Sequence, residues 1–109
     1  MAEDRSIAQP TKVADINYVP PGKSACVEFA GEKVALFNVG GMVHAIANTC
    51  SHRGGPLSEG EVEGTTVTCP WHGACFDLKT GASLGPPATQ GVKRYQAAVK
   101  GNDILLSEG

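Results

Sequence analysis

Apolar and polar residues alternate in short runs along this chain, and glycine or proline punctuates the runs. A period of two is typical of β-strands that bury one face. Turns such as Gly40-Gly41 and Lys100-Gly101-Asn102 carry residues that accept the backbone angles of hairpins. No window of about ten residues holds a helical period. The pattern therefore predicts strands over 12–18, 24–29, 33–39, 42–47, 65–68, 75–78, 82–84, 93–99 and 103–107.

These elements predict an all-β fold of short antiparallel sheets, sandwich-like or barrel-like, with at most one short helical turn. The chain has 109 residues, which is enough for one modest core. We find no internal repeat and no linker, so we predict a single domain over residues 1–109. Segments 48–60 and 69–74 interrupt the alternation and are rich in Cys, His, Gly and Pro. We predict that these two segments are loops shaped by something other than strand pairing.

Composition narrows the classes of function. A formal charge of −2 provides no electrostatic basis for binding nucleic acid or an anionic membrane. No apolar run approaches the roughly 20 residues of a membrane helix, and the charged N-terminus lacks an apolar signal region. We therefore expect a cytoplasmic protein. Thiols stay reduced in that compartment, so the four cysteines indicate a metal site rather than disulfides.

Two of the three histidines lie close to cysteines, in Cys50-Ser51-His52 and in Cys69-Pro70-Trp71-His72. The spacing is C-x-H, sixteen residues, then C-x-x-H. Thiolates and imidazoles suit zinc and iron–sulfur clusters. Two matched pairs favour a 2Fe–2S cluster with two thiolates on one iron and two imidazoles on the other. The alternative is a structural zinc site, although a one-residue gap between Cys and His is uncommon in zinc fingers.

These motifs resemble those of the Rieske family. The likeness runs through segments 48–57 and 69–77 and continues into Thr80-Gly81 and 85–87. It implies a Rieske-type fold with a cluster-binding subdomain made of two loops, and one 2Fe–2S cluster as cofactor. The ligands implied by the resemblance are Cys50, His52, Cys69 and His72.

Within that family, the chain length and the sequences of the motifs resemble those of the small ferredoxins that serve bacterial aromatic-ring-hydroxylating dioxygenases. The resemblance implies a one-electron carrier, not itself an enzyme, that takes electrons from a flavin-containing reductase and passes them to a terminal oxygenase. We expect a monomer. The alternative is a small Rieske subunit of a nitrite-reductase-like or other oxidoreductase complex. An oxygenase fragment is disfavoured, because only His44 is left for the two-His, one-carboxylate site that an oxygenase needs.

The resemblance also bears on the reduction potential. High-potential members, such as those of respiratory cytochrome bc complexes, carry a disulfide between the cluster loops and a Ser and a Tyr that donate hydrogen bonds to sulfur. The matching positions here are Gly55, Trp71, Ala74 and Phe76. Hydrogen bonds to sulfur stabilise the reduced cluster, so their loss lowers the potential. We expect a midpoint near the bottom of the Rieske range, about −150 mV.

Several other residues have more than one interpretation. Trp71 either contacts the cluster, shapes a docking surface or fills space between the loops. Gly54, Gly55 and Gly73 either let backbone amides approach the sulfides or serve simple turns. Pro86-Pro87 resembles the proline loop that covers the cluster in this family, and the alternative is an ordinary surface turn. We expect Glu59, Glu61 and Glu63 to form a solvated face, and we expect Arg53 either to contact a partner or to be a solvated side chain. Cys26 is predicted to be a small core residue and Cys75 a packed thiol. His44 is predicted to be a structural histidine.

Overall fold

The computed structural model describes residues 10–50, 55–71, 73–85 and 90–108. Within that part the chain is almost entirely β-structure, with two three-residue 3₁₀ helices at Ile16–Tyr18 and Leu57–Glu59 and no α-helix. The all-β prediction is therefore confirmed, although the described residues form two short helical turns where we expected at most one. None of the described segments forms a helix that is long and apolar enough to cross a bilayer. The strands are β1 (Thr11–Asp15), β2 (Ser24–Phe29), β3 (Glu32–Val39), β4 (Met42–Ala47), β5 (Glu61–Glu63), β6 (Thr66–Thr68), β7 (Cys75–Asp77), β8 (Arg94–Lys100) and β9 (Asp103–Glu108).

Six strands form one antiparallel sheet in the order β1-β9-β8-β4-β3-β2. The two edge strands, β1 and β2, contact each other, so the sheet curls into a nearly closed barrel. Closing a sheet in this way removes most of the unpaired edge that would otherwise attract other strands.

The other three strands form a small sheet in the order β5-β6-β7. In sequence this sheet is inserted between β4 and β8, so both of its connections lead back into the barrel. The barrel is also joined to the 3₁₀ helix that precedes the small sheet, where the Ser24 hydroxyl of β2 donates a hydrogen bond to the Ser58 carbonyl at 2.6 Å. Segment 55–60 leads from the first cysteine loop into β5, and Cys69 directly follows β6.

Strand β3 is buried on both faces, which explains why its centre is a continuous apolar run rather than an alternating one. One face of β3 and β4 contributes Ala35, Phe37 and Ile46 to a hydrophobic cluster shared with the small sheet. The opposite face contributes to a second cluster inside the barrel, together with Tyr95 and Ile104. Strands β3 and β4 therefore contribute to both hydrophobic clusters, and through the first cluster they hold the small sheet against the barrel.

Three strand predictions differ from the structure. The first predicted strand ends at Asp15, because its carboxylate accepts a hydrogen bond from the Asn17 amide and begins a 3₁₀ helix. Segment 82–84 forms only one bridge, between Ser83 and Phe76. Strand β5, Glu-Val-Glu, was not predicted, and its pairing with β6 overrides the low β-propensity of glutamate.

The prediction for Cys26 is wrong, because its side chain is exposed. Its neighbours in β2, Ala25 and Val27, pack against the cluster inside the barrel. Because successive side chains of a strand point to opposite faces, Cys26 must face outward.

Candidate metal centre

Both cysteine loops are hairpins of the same design. Cys50 lies just beyond β4, and its amide donates to the Gly55 carbonyl at 2.9 Å. Cys69 directly follows β6, and its amide donates to the Ala74 carbonyl at 2.6 Å. Each loop is thus closed by a hydrogen bond from the cysteine to a carbonyl five residues later. The two thiols occupy equivalent positions.

Strand pairing continues directly beneath each cysteine. Thr49 forms an antiparallel bridge with Pro56, and Thr68 pairs with Cys75. The prediction that something other than strand pairing shapes these loops is therefore wrong for their described bases. The ladder reaches the cysteines themselves, so the loop bases are rigid and place the thiols.

The two thiols lie together inside the protein. Cys50 and Cys69 are each 2% exposed, and their side chains are within hydrogen-bonding reach of each other. Burial raises the pKa of the Cys69 thiol, and the neighbouring Cys50 thiol raises it further, whereas the Trp71 amide opposes the shift. Both thiols belong to one apolar cluster with Leu57, Val67 and Phe76. A metal bound here would displace the thiol protons.

The surroundings suit a thiolate-bound metal. The Trp71 amide points at Cys69 Sγ from 3.4 Å, the arrangement that stabilises negative charge on a ligand sulfur. Two adjacent buried thiols with such a donor form one half of a thiolate and imidazole ligand set. The residues present therefore fit an iron held by two cysteines, and they equally fit the thiol half of a zinc site.

The imidazole half of the predicted site lies outside the described residues. His52 and His72 are not among them, nor are Ser51, Arg53, Gly54, Pro86 and Pro87. Within the described ranges, no group of three or more His, Cys, Asp or Glu side chains is placed to hold a metal ion. The structure thus brings together the two cysteines of the predicted set, and the two histidines stay a prediction.

The two described loop glycines have different roles. Gly73 has a φ of +76° and open space where a side chain would stand, so turn geometry requires it. A Cβ atom on Gly55 would stand 2.6 Å from Cys69 Sγ, closer than real Cβ atoms come to any neighbour. Gly55 is therefore required by close approach to the sulfur.

Cys75 lies beside the second loop without joining the pair of thiols. Its sulfur is 3.4 Å from Thr68 Oγ1 and 3.6 Å from the Gly73 carbonyl oxygen, and its side chain is partly buried in β7. These contacts agree with a packed thiol.

His44 of β4 lies near two cationic side chains, those of Lys79 and Arg94. The pKa of His44 is lowered from its ordinary value of 6.5, first by burial and then by Lys79, with a smaller contribution from Arg94. Asp77 opposes this shift. His44, Lys79 and Arg94 line a groove of about 260 Å³ between β4, β8 and the turn after β7.

Asn48 is a site residue that the sequence analysis missed. It is 7% exposed, and its Oδ1 accepts a hydrogen bond from the Ser58 amide at 2.8 Å. Its carbonyl accepts from the Leu57 amide at 2.7 Å, so it ties the end of β4 to the 3₁₀ helix beyond the first loop. A polar residue directly after an apolar strand was the signal for this role.

Comparison with known families supports the same chemistry. A model of the Rieske 2Fe–2S domain matches residues 9–96. The 3-phenylpropionate/cinnamic acid dioxygenase ferredoxin subunit of Escherichia coli is 44% identical over 89 residues, which are 81% of this chain and 83% of that protein.

Two solved structures are similar over nearly the whole chain. The ferredoxin of carbazole 1,9a-dioxygenase from Nocardioides aromaticivorans superimposes with a TM-score of 0.87 at 31% identity, covering 94% of this chain and 100% of that one. The second structure is a complex of reduced oxygenase and oxidized ferredoxin in carbazole 1,9a-dioxygenase. It aligns with a TM-score of 0.82 at 29% identity, over 90% of this chain and 92% of the matched chain.

Proposed function

The chain belongs to the Rieske 2Fe–2S family, and from that membership we propose that it is the ferredoxin of an aromatic-ring-hydroxylating dioxygenase system. The observation that carries this proposal is the pair of buried, adjacent thiols at equivalent positions of two hairpin loops. Its relatives with that name are electron-transfer components rather than catalysts.

The proposed ligands are the four residues of the two motifs. Cys50 and Cys69 hold one iron, and His52 and His72 hold the other. When bound, the Rieske cluster takes up and returns one electron at a time. Because the two thiols are buried, we propose that electrons enter and leave through the iron held by His52 and His72.

The residues around the thiols control water and charge. Leu57, Val67 and Phe76 are fully buried beside the sulfurs and keep water from them. Among the described residues, the Trp71 amide donates a hydrogen bond to the sulfur of Cys69. With Ala74 and Phe76 offering no side-chain donor, we retain a midpoint near the bottom of the Rieske range, about −150 mV.

The proposed partners are a terminal oxygenase, which receives the electron, and a flavin-containing reductase, which supplies it. The ferredoxin in complex with an oxygenase, similar over most of this chain, supports the first partner. Redox encounters of this kind bury little surface and are weak. We further propose that residues 1–109 form one domain and that the protein is a cytoplasmic monomer.

Metal analysis tests the cluster against the zinc alternative. The purified protein should contain two irons and two acid-labile sulfides per chain, and it should give an EPR signal after reduction with dithionite. Cys50→Ser should lose colour and signal. Cys26→Ser, which changes an exposed thiol in β2, should keep both. Zinc without labile sulfide in the unaltered protein would contradict the assignment.

Reconstituted electron transfer tests the pathway. The reduced protein should be oxidised by the terminal oxygenase of a 3-phenylpropionate-type dioxygenase in the presence of its aromatic substrate. A nitrite-reductase-like complex, the alternative function, should not oxidise it at a comparable rate. The reverse preference would move the chain to the alternative.

A further inference from the structure

Trp71 contributes a contact between the two cysteine loops in addition to the meeting of Cys50 and Cys69. It belongs to the second loop, and Gly55 belongs to the first. A Cβ atom on Gly55 would stand 3.0 Å from Trp71 Cγ and 3.1 Å from Trp71 Cβ. These are shorter than ordinary van der Waals distances, so the base of the indole lies directly on the Gly55 backbone.

The same spot also reaches the ligand sulfur. The hypothetical Cβ on Gly55 would stand 2.6 Å from Cys69 Sγ. Gly55, Trp71 and Cys69 therefore meet at one point. Movement of the indole away from Gly55 would open a gap next to a thiol that is now 2% exposed.

Trp71 is 49% exposed, although a tryptophan side chain gains much from burial. The base of its ring contacts Gly55, so the contact joins the two loops where they approach each other. No disulfide joins the loops in its place, because none of the cysteines at the described positions forms one.

We propose that Trp71 is a positioning residue that latches the second loop onto the first and shields Cys69 from water, so that retention of the cluster depends on its contact with Gly55. The proposal rests on the proposed function, because it presumes an iron on Cys69. It concerns the stability of that site and not the identity of the partners.

The test compares iron release from purified holoprotein to an excess of a coloured iron chelator. Trp71→Ala should release iron roughly tenfold faster, because iron leaves from the state in which the loops have parted and the contact with Gly55 disfavours that state; a tenfold change in this equilibrium is about 1.4 kcal/mol. Trp71→Phe keeps a ring on Gly55 and should stay within roughly threefold of the unaltered protein. Met42→Ala is the control, because Met42 is 64% exposed at the end of β4 away from Cys50.

Two further readouts separate a latch from a general loss of stability. Water admitted beside Cys69 adds hydrogen bonds to sulfur, so the midpoint potential of Trp71→Ala should rise, while Trp71→Phe should restore it. Trp71→Leu keeps an apolar side chain but no ring, and it should speed iron release by less than Trp71→Ala does. Trp71→Leu keeps the test decisive if Trp71→Ala does not fold.

The protein contains one tryptophan, so its fluorescence reports on this contact alone. Emission should shift to longer wavelength at the same rate as iron is released, because the ring leaves Gly55 when the loops part. Iron release from Trp71→Ala at the unaltered rate, with an unaltered midpoint, overturns the latch. Absence of iron and labile sulfide from the unaltered protein would instead overturn the proposed function.

Discussion

Ala30 adopts a backbone conformation that suits glycine. The turn from β2 to β3 has two central residues, Ala30 with a φ of 55° and Gly31 with a φ of 80°, as in a type I′ hairpin. Ala30 is the non-glycine residue with positive φ among the described positions, and its Cβ strains the left-handed region.

Ala30→Gly should therefore stabilise the protein by about 1 kcal/mol, the strain of one alanine in this region less the entropy that glycine adds to the unfolded chain. The measurement is the midpoint of urea unfolding. Ala98→Gly in β8, an exposed strand position without positive φ, is the matched control and should destabilise by roughly 0.5–1 kcal/mol. Equal effects of the two substitutions would show that the turn is not strained.

Phe76 and Ala74 are fully buried beside the thiols and offer no hydroxyl group. Phe76→Tyr and Ala74→Ser should each raise the midpoint potential, because a hydroxyl donor near the cluster favours its reduced form. Voltammetry of the purified variants measures the shift. Phe29→Tyr, which places a hydroxyl in the other hydrophobic cluster, should leave the midpoint unchanged. A fall in potential for both loop variants would contradict this account of the low midpoint.

His44 should respond to its cationic neighbours. Its folded pKa lies below the ordinary value of 6.5, so the unfolded chain binds more protons as the pH falls through 6.5, and stability declines in that window. Above it, the group contributes no pH dependence. Lys79→Gln should raise the pKa of His44 in an NMR titration. Lys12→Gln, which removes the partner of Asp103 in β1 and β9, should not.

At the scale of elements, Asn48 joins β4 to the 3₁₀ helix at Leu57–Glu59. The Asn48 side chain accepts a hydrogen bond from the Ser58 amide, so Asn48→Ala leaves that amide without this acceptor near the core. We expect a loss of about 1–3 kcal/mol in the free energy of unfolding. Asn17→Ala, an exposed control, should stay within about 0.5 kcal/mol. Similar unfolding midpoints for the two variants would show that water replaces the lost hydrogen bond.

Predictions at this scale succeeded where local pattern and tertiary pairing agree. Strands β2 and β4 begin and end where the alternation and the flanking glycines placed them. The strand predictions failed where pairing with a neighbouring strand decides whether a strand forms. Strand β5 exists because β6 pairs with it, and segment 82–84 is not a strand because it forms only the bridge at Ser83. Propensity describes a residue's own backbone preference, whereas a strand exists only with its neighbour.

At the scale of the whole molecule, two separate hydrophobic clusters contribute to the stability of the fold. One contains Cys50 and Cys69 and spans the two sheets, and the other fills the barrel. A bound cluster would add stability to the first only, because ligand binding stabilises the elements that carry the ligands.

Removal of iron should therefore loosen the small sheet before the barrel. After chelation under reducing conditions, the amides of Val67 and Phe76 should exchange hydrogen faster, while those of Ile104 and Leu106 in β9 should keep their protection. Hydrogen exchange followed by mass spectrometry or NMR measures this. Loss of protection throughout the molecule would mean that the two clusters unfold as one unit.

By itself, the sequence determined the ligand chemistry, because thiol and imidazole groups and their spacing are properties of the chain. It also determined most turns and strands, because glycine's backbone freedom and the two-residue period act locally. Only the tertiary structure decided that Cys50 and Cys69 meet, that Gly55 lies close to both the indole and a sulfur, that Cys26 faces outward and that Asn48 anchors a helix. Each of these depends on which strands pair and in what register, and register is set by contacts between residues far apart in the chain.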